Sequence, residues 1–408
     1  MKGTIERYLQ LFFRLQLAQW ENYAAGAKHD LAALDGEIYA CLRDGELSAG
    51  DLTAETLIFW GVRRRGLVDR DPAVSRLRNR LDDWDNYLGG LLPVDPAERR
   101  RLLAERMRPD VLQLMQLRDR LAREQGFPSY PELVLQTEGL DPGWVRQTVA
   151  DYLHRHLDEA RELIATNKIQ WATWFTDLEQ LGNIQLRLEA EAISQQLLEQ
   201  LGLADALRCI SLQVREDGLA GYTGVIRPRS DVRILIRPVT SLSRLITLCH
   251  ELGHAVCHAL NQAKGLAQTW TASYDEAMAV LLEQIGVQLL LPEDMQRQAR
   301  QIALLENVRC AISFLFELEL WRQPHRAEEL YLEHYGQLGL ELGNPLLWAL
   351  DSFRSIDPVY IQNYVLGAVL AERTIDRLAD LYGNDYRAWG EGLRERYAAG
   401  AYSRRDEQ

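Results

Sequence analysis

The sequence predicts a mainly α-helical fold, with one continuous body, a cleft and a single small antiparallel sheet. Apolar residues recur at three- and four-residue steps through most of the chain, which is the periodicity of helices that bury one face. Asp-Pro pairs begin at Asp71, Asp95, Asp141 and Asp357. Each predicts a capping residue followed by proline at the first helical position. This helical pattern of residues changes at only one place along the chain.

That change lies between Cys209 and Pro238, where three short segments are rich in β-branched residues: CISLQVRE, YTGVIRP and VRILIRP. Turn-forming residues separate them, so we expect a small antiparallel sheet. Thr240 or Ser241 can then cap a helix that reaches about Gly265. Further helices are predicted over residues 271–290, 296–321, 326–338 and 358–382.

We expect two halves within one fold: an N-terminal helical half over residues 1–205 and a second half over residues 206–408. No repeat, low-complexity tract or linker composition separates them.

Composition narrows the class of protein. The chain has 408 residues, of which 47% are hydrophobic and 26% charged, as in soluble globular proteins. A net charge of -13 argues against nucleic acid as a partner, because its phosphates would be repelled. No uncharged apolar stretch reaches the roughly 18 residues of a membrane span. The five cysteines are scattered without a C-x-x-C pair, which suits a reducing compartment, so we expect a cytoplasmic protein.

The segment CHELGHAVCHAL, residues 249–260, is the most informative stretch. His250 and His254 are four residues apart and project from the same face of a helix, where both imidazoles can bind one metal ion. Glu251 can reach a water molecule on that ion and act as general base. This is the H-E-x-x-H arrangement of zinc hydrolases. The alternative is that both histidines are ordinary buried residues.

A third ligand is available on the next helix. Glu276 begins the segment that follows a glycine-containing loop, and Glu283, two turns later, falls on nearly the same face. Glu283 and His258 are expected to support the ligands by hydrogen bonds. Two histidines and a glutamate leave one coordination position for water, which is the layout of a catalytic zinc site. We therefore expect one Zn²⁺ per chain and hydrolysis of an amide bond.

Four segments together resemble a known family: DVRILIRP, LITLCHELGHAVCHAL, YDEAMAVLLEQIG and YIQNYVLGAVLAER. They are similar to the gluzincin zinc metallopeptidases of the thermostable carboxypeptidase type. The thimet-type oligopeptidases and angiotensin-converting enzyme are relatives of that type. The D-x-R strand is matched by Asp231 and Arg233, and the glutamate pair by Glu276 and Glu283. The resemblance covers residues 219 to 382.

The resemblance implies a two-sided helical body with a central cleft, a zinc ion at its floor and peptide substrates. It also implies that Tyr364 or Tyr360 donates a hydrogen bond to the oxyanion of the tetrahedral intermediate. The sequence departs from the family pattern in places: Leu235 replaces the usual threonine of the D-x-R strand. Substrate preference therefore transfers less well than zinc binding.

Several functions remain open at this point. A carboxypeptidase needs a cation for the terminal carboxylate of its substrate, and the candidates are Arg233, Arg237, Arg309 and Arg354. An oligopeptidase would cut internally. The chain could also be a protease that processes one partner protein, or a non-catalytic relative that binds peptides. The sequence leaves open as well whether the chain forms a homodimer.

Overall fold

The computed structural model describes residues 2–45, 54–88, 95–181, 185–217, 219–269 and 271–398. The fold is mainly α-helical, as predicted. The helices are α1 (Lys2–Ala25), α2 (Leu31–Asp44), α3 (Ala54–Asp69), α4 (Pro72–Asp82), α5 (Trp84–Leu88), α6 (Pro96–Glu124), α7 (Tyr130–Thr137), α8 (Pro142–Asn167), α9 (Trp174–Glu179), α10 (Ala190–Gln200), α11 (Leu242–Leu260), α12 (Ala272–Leu290), α13 (Glu293–Arg322), α14 (Ala327–Tyr335), α15 (Ser352–Ser355), α16 (Gln362–Tyr382) and α17 (Tyr386–Ala398). The strands are β1 (Gln185–Leu188), β2 (Ile210–Val214), β3 (Gly221–Arg227), β4 (Asp231–Ile236) and β5 (Val239–Ser241).

The chain divides into two compact units, each built from separate stretches of sequence. The first comprises residues 32–172 and 308–362, and the second comprises residues 2–31, 173–307 and 363–408. The division at residue 205 and the central cleft stay predictions from sequence.

The first unit is helical and has its own apolar interior, with fully buried side chains from several helices: Phe59, Leu103, Val111, Leu114, Leu133 and Phe314. Three Asp-Pro predictions are confirmed here. Asp71, Asp95 and Asp141 cap α4, α6 and α8, and in each case the carboxylate accepts hydrogen bonds from main-chain N–H groups of the first turn.

The fourth Asp-Pro prediction was wrong. After Asp357-Pro358 the chain forms a turn, and α16 begins only at Gln362. Val359 in that turn has a φ of 57°, a left-handed conformation that is unfavourable for a β-branched residue. Its N–H donates to Oε1 of Glu317 at 3.0 Å. This hydrogen bond to a residue distant in sequence therefore determines the backbone conformation at Val359, and the local Asp-Pro signal does not.

The second unit contains two small sheets. β1 and β5 form an antiparallel pair, and the other sheet has the strand order β2-β4-β3. β3 and β4 form the expected antiparallel hairpin, whereas β2 runs parallel to β4, from Ile210 opposite Val232 to Val214 opposite Ile236. The sequence predicted the segments because β-branched residues bounded by turn residues are a local signal for strands. It did not predict the mixed pairing, because local composition carries no information on which edge of the sheet a strand joins.

The three-stranded sheet has two differently packed faces. Val232, Ile234 and Ile236 of β4 belong to the core that also contains α11, α12 and the C-terminal helix α17. Leu235 points the other way and packs with Trp20 of α1. This sheet therefore lies between α1 and α11, and α11 is the helix that carries the histidine motif.

α11 begins where predicted and ends earlier than predicted. The Ser241 hydroxyl accepts a hydrogen bond from the N–H of Arg244, which confirms it as the cap, and the helix ends at Leu260. Among the described helices, none combines the length and apolar character that crossing a membrane requires.

Candidate metal centre and active site

α11 brings two imidazoles together. Nε2 of His250 and Nε2 of His254 lie 3.1 Å apart, and the two rings are nearly perpendicular, with centroids separated by 4.7 Å. This proximity follows from the four-residue spacing on one helical face. Both rings are mostly buried, so their nitrogen lone pairs face a small shared space.

Glu276 completes a triangle of donor atoms. It lies near the start of α12, is almost fully buried, and places Oε2 3.4 Å from Nε2 of His250 and 3.8 Å from Nε2 of His254. Within the described residues, these three side chains form the one group of histidine, cysteine or acidic residues whose ligand atoms converge closely enough for a metal ion.

Two glycines hold this glutamate in place. A Cβ on Gly253 would lie 2.5 Å from Cα of Ala279, so α11 and α12 can pack this closely only because the residue is glycine. A Cβ on Gly367 of α16 would lie 2.9 Å from the carbonyl carbon of Glu276. The position of Glu276 therefore depends on close backbone approach from two sides.

The outer nitrogens of the two rings face carboxylates. Nδ1 of His250 lies 2.5 Å from Oε1 of Glu283, and Nδ1 of His254 lies 3.1 Å from Oδ1 of Asp275. A carboxylate can only accept, so this arrangement favours the proton on Nδ1 and directs the Nε2 lone pairs inward. Glu283 was a candidate from sequence.

Asp275 is a residue that sequence reasoning missed. Its other oxygen, Oδ2, lies 3.4 Å from Nε2 of His258, so Asp275 joins His258 to His254. The signal was present, because Asp275 immediately precedes Glu276 in YDEAM. The direction of the Asp275 side chain depends on how α12 packs against α11, which local spacing does not reveal.

The surrounding carboxylates shift the pKa values of the imidazoles. Burial alone would lower the pKa of His254, but Asp275 and Glu276 outweigh it and raise the pKa to about 10. At His250, burial again acts to lower the pKa, but the hydrogen bond to Glu283 outweighs it, so the pKa is raised. For Asp275 burial acts to raise the pKa, yet His254 and His258 lower it overall. The carboxylates around the two rings thus stabilise positive charge on the imidazoles in the absence of metal.

Glu251, the predicted general base, lies on the side of α11 that faces the sheet. It is buried, and its Oε2 lies 2.7 Å from the hydroxyl of Thr223 on β3. The same hydroxyl lies 3.0 Å from the main-chain oxygen of Glu251. Gly221, two residues earlier on β3, leaves room for the carboxylate. Sequence reasoning did not identify Thr223 or Gly221.

The two candidate tyrosines have different surroundings. The ring of Tyr364 on α16 lies 6.2 Å from the ring of His250, centroid to centroid. Tyr360 belongs to the first unit, where its ring stacks on Phe353 at 6.0 Å.

Three of the candidate arginines also differ in their surroundings. Arg354, in the first unit, is buried and pairs with Glu317 at 3.0 Å. Arg233 makes two hydrogen bonds of 2.8 Å to Asp231, and its guanidinium lies over Trp20. It therefore occupies the α1 face of the sheet, opposite Glu251. Arg309 is partly buried on α13, in the first unit.

The donor set fits zinc. Bonds of about 2.0–2.1 Å at tetrahedral angles place neighbouring ligand atoms about 3.3 Å apart. The three separations here, 3.1, 3.4 and 3.8 Å, are close to that value. Cys249 precedes His250 on α11, but its side chain is buried in the apolar core and is not one of the converging donors.

Comparison with known proteins agrees with this geometry. The profile of the IrrE N-terminal-like domain, peptidase family M78, matches residues 229–307, a range that includes all three candidate ligands. No curated protein matches the chain in sequence.

Solved structures resemble the chain over nearly its whole length. The M32 carboxypeptidase from Deinococcus radiodurans R1 has a TM-score of 0.72 at 16% identity, covering 98% of this chain and 92% of that one. Trypanosoma cruzi metallocarboxypeptidase 1 has a TM-score of 0.70 at 16% identity, covering 98% and 93%. A carboxypeptidase from Pyrococcus furiosus has a TM-score of 0.67 at 14% identity, covering 98% and 93%. The family resemblance predicted from sequence is thus confirmed at the level of structure: the chain has the fold of the M32 carboxypeptidases.

Proposed function

We propose that the protein is a zinc-dependent metallopeptidase that hydrolyses peptide bonds in short peptides. The observation that carries this proposal is the convergence of His250, His254 and Glu276 on one point, with Glu251 held on the same helix. The metallopeptidase fold of the solved neighbours supports it.

His250, His254 and Glu276 would hold one Zn²⁺ per chain. Three protein ligands leave one coordination position for water or substrate, which distinguishes catalytic from structural zinc sites. Glu283 and Asp275 would orient the two histidines and increase their basicity. When bound, the zinc ion lowers the pKa of water and polarises the substrate carbonyl.

Glu251 would act as the general base. Its carboxylate takes a proton from the attacking water and passes it to the nitrogen of the leaving amine, so that the C–N bond breaks without expelling an anionic amide. Tyr364 would donate its phenolic hydrogen to the oxygen on which negative charge develops. Tyr360 is the alternative donor.

Both removal of residues from the C-terminus and internal cleavage are candidate activities, because the solved neighbours include carboxypeptidases and an oligoendopeptidase F. A carboxypeptidase needs a cation for the terminal carboxylate of its substrate. Arg233, Arg309 and Arg354 stay candidates for this role. Arg354 is buried in an ion pair with Glu317, and Arg233 lies on the opposite face of the sheet from Glu251.

Metal analysis of the wild type beside Glu251→Gln tests the proposal. We expect about one zinc ion per chain in both proteins and loss of hydrolysis in the variant. With N-terminally blocked peptides, single residues released from the C-terminus indicate a carboxypeptidase, and internal cuts indicate an oligopeptidase. Intact generic peptides beside one cleaved partner protein would indicate a processing protease. A wild type that binds no metal would refute the enzymatic proposal.

A further inference from the structure

Strand β3 presents two residues to α11 at the point where Glu251 lies. Gly221 and Thr223 are two residues apart, so they share one face of the strand. Both are in contact distance of the Glu251 carboxylate. We propose that they form a seat for this carboxylate and that Thr223 is a positioning residue of the general base. This inference rests on the proposed function.

The Thr223 hydroxyl fixes one oxygen of the carboxylate. At 2.7 Å from Oε2 it can donate its hydrogen to the ionised carboxylate, a charge-assisted bond that is stronger than one between neutral groups. Because Oε2 is engaged, Oε1 is left to take the proton from water and to return it to the leaving amine. While Glu251 holds the proton, the hydroxyl can donate instead to the main-chain oxygen of Glu251, 3.0 Å away.

Gly221 provides the space for the seat. A Cβ at this position would lie 2.6 Å from Oε1 and 2.8 Å from Cγ of Glu251, distances that a real Cβ essentially never shows. Glycine inside a strand is unfavourable and often marks a close approach by another group. Here that group is the Glu251 side chain.

The opposite face of β3 is anchored, which makes the seat rigid. Tyr222 stacks on Trp20 of α1 at 6.0 Å and meets Tyr23 edge-on at 5.2 Å. A Cβ on Gly224 would lie 2.7 Å from Trp20, so the strand and α1 are in direct contact. The strand is therefore held between α1 and α11, and Thr223 has little freedom to move with the carboxylate.

Three variants separate positioning from packing. Thr223→Val keeps the shape and loses the donor, Thr223→Ser keeps the donor, and Thr374→Val is the matched control. The Thr374 hydroxyl is buried on α16 and donates only to the main-chain oxygen of Leu370.

We expect Thr223→Val to retain zinc and to lower kcat about 10- to 100-fold with KM nearly unchanged, the range for a hydrogen bond to a charged group. Thr223→Ser should recover kcat to within about threefold, and Thr374→Val should equal the wild type. Wild-type kcat in Thr223→Val, or equal losses in the serine and valine variants, would overturn the proposal.

Crystal structures of the valine and serine variants give a readout that does not depend on turnover. The Glu251 carboxylate should leave β3 in Thr223→Val and keep its place in Thr223→Ser. A carboxylate that stays in place in the valine variant would overturn the seat even if the enzyme is active. Absence of hydrolysis in the wild type would instead refute the proposed function, and the same structures would still decide whether Thr223 positions Glu251.

Discussion

Oδ1 of Asp275 lies 3.1 Å from Nδ1 of His254, the nitrogen that points away from the candidate metal position. Glu283 occupies the corresponding place beside Nδ1 of His250. Asp275 also contacts His258, which makes it the link between the second and third histidines of α11. Such outer carboxylates set the tautomer and the orientation of metal-binding histidines.

We therefore expect Asp275→Asn to weaken zinc binding about 10- to 100-fold, the range typical of such supporting residues. Competition with a chelator of known affinity measures the change. Asp158→Asn serves as control, because Asp158 is an exposed aspartate on α8. An unchanged zinc affinity would show that Asp275 does not support His254.

Zinc binding should release protons. The pKa of His254 is raised from 6.5 to about 10 without metal, so at pH 7.5 the ring holds a proton that zinc must displace. Zinc affinity should consequently rise with pH up to about 10 and fall on acidification. Calorimetry in buffers of different ionisation enthalpy should report roughly one proton or more released per zinc. Heats that do not depend on the buffer would contradict this.

For the metal-free protein, the raised pKa of His254 acts in the opposite direction: stability falls as pH rises, whereas zinc affinity increases. A raised pKa means that the folded chain binds the His254 proton more tightly than the unfolded chain. The stabilisation from His254 is therefore fully present below pH 6.5 and is lost as pH rises towards about 10. Urea unfolding of wild type and His254→Ala across this range measures it. A difference between the two proteins that does not shrink with pH would count against the raised pKa.

Gly253→Ala should damage both stability and metal binding. Its methyl group would meet the backbone of α12 at Ala279, which cannot yield as a flexible side chain can. We expect a loss of about 1–3 kcal/mol in the free energy of unfolding, together with weaker zinc binding because Glu276 moves away. Gly36→Ala, in α2, is the control, since a Cβ added at this position would have nothing within 4 Å. Equal effects of the two substitutions would argue against the close helix contact.

Tyr364→Phe should lower kcat about 100-fold or more with a smaller effect on KM, as expected for loss of an oxyanion donor. Its ring lies 6.2 Å from that of His250, which favours it over Tyr360. Steady-state kinetics of both phenylalanine variants test the ranking. A larger loss of kcat in Tyr360→Phe would reverse it.

Arg354→Met should act on stability. Removal of one partner from a buried ion pair typically costs about 3–5 kcal/mol, because the other charge, here Glu317, stays buried. Denaturant unfolding measures the loss, and the exposed Arg161→Met is a control that should change little. A stable variant with a selectively raised KM for peptides with a free C-terminus would instead indicate that Arg354 binds substrate.

Much of the fold and part of the site could be predicted from local sequence. Helix caps such as Asp95 and Ser241 act over three residues, and the pairing of His250 with His254 follows from helix geometry alone. The turn at Val359 could not be predicted, because Glu317, far away in sequence, holds its N–H. The parallel pairing of β2 was hidden for the same reason, since pairing order is not a local property.

The sequence by itself determined which residue types are available for zinc chemistry and which two of them share a helical face. Only the tertiary structure decided that Glu276 approaches those histidines, that Asp275 and Glu283 stand behind them, and that Thr223 contacts Glu251. The physical reason is the distance along the sequence over which each of these effects acts. Helical periodicity fixes directions over a few residues, whereas contacts between α11, α12 and β3 depend on how closely glycine backbones allow these elements to pack.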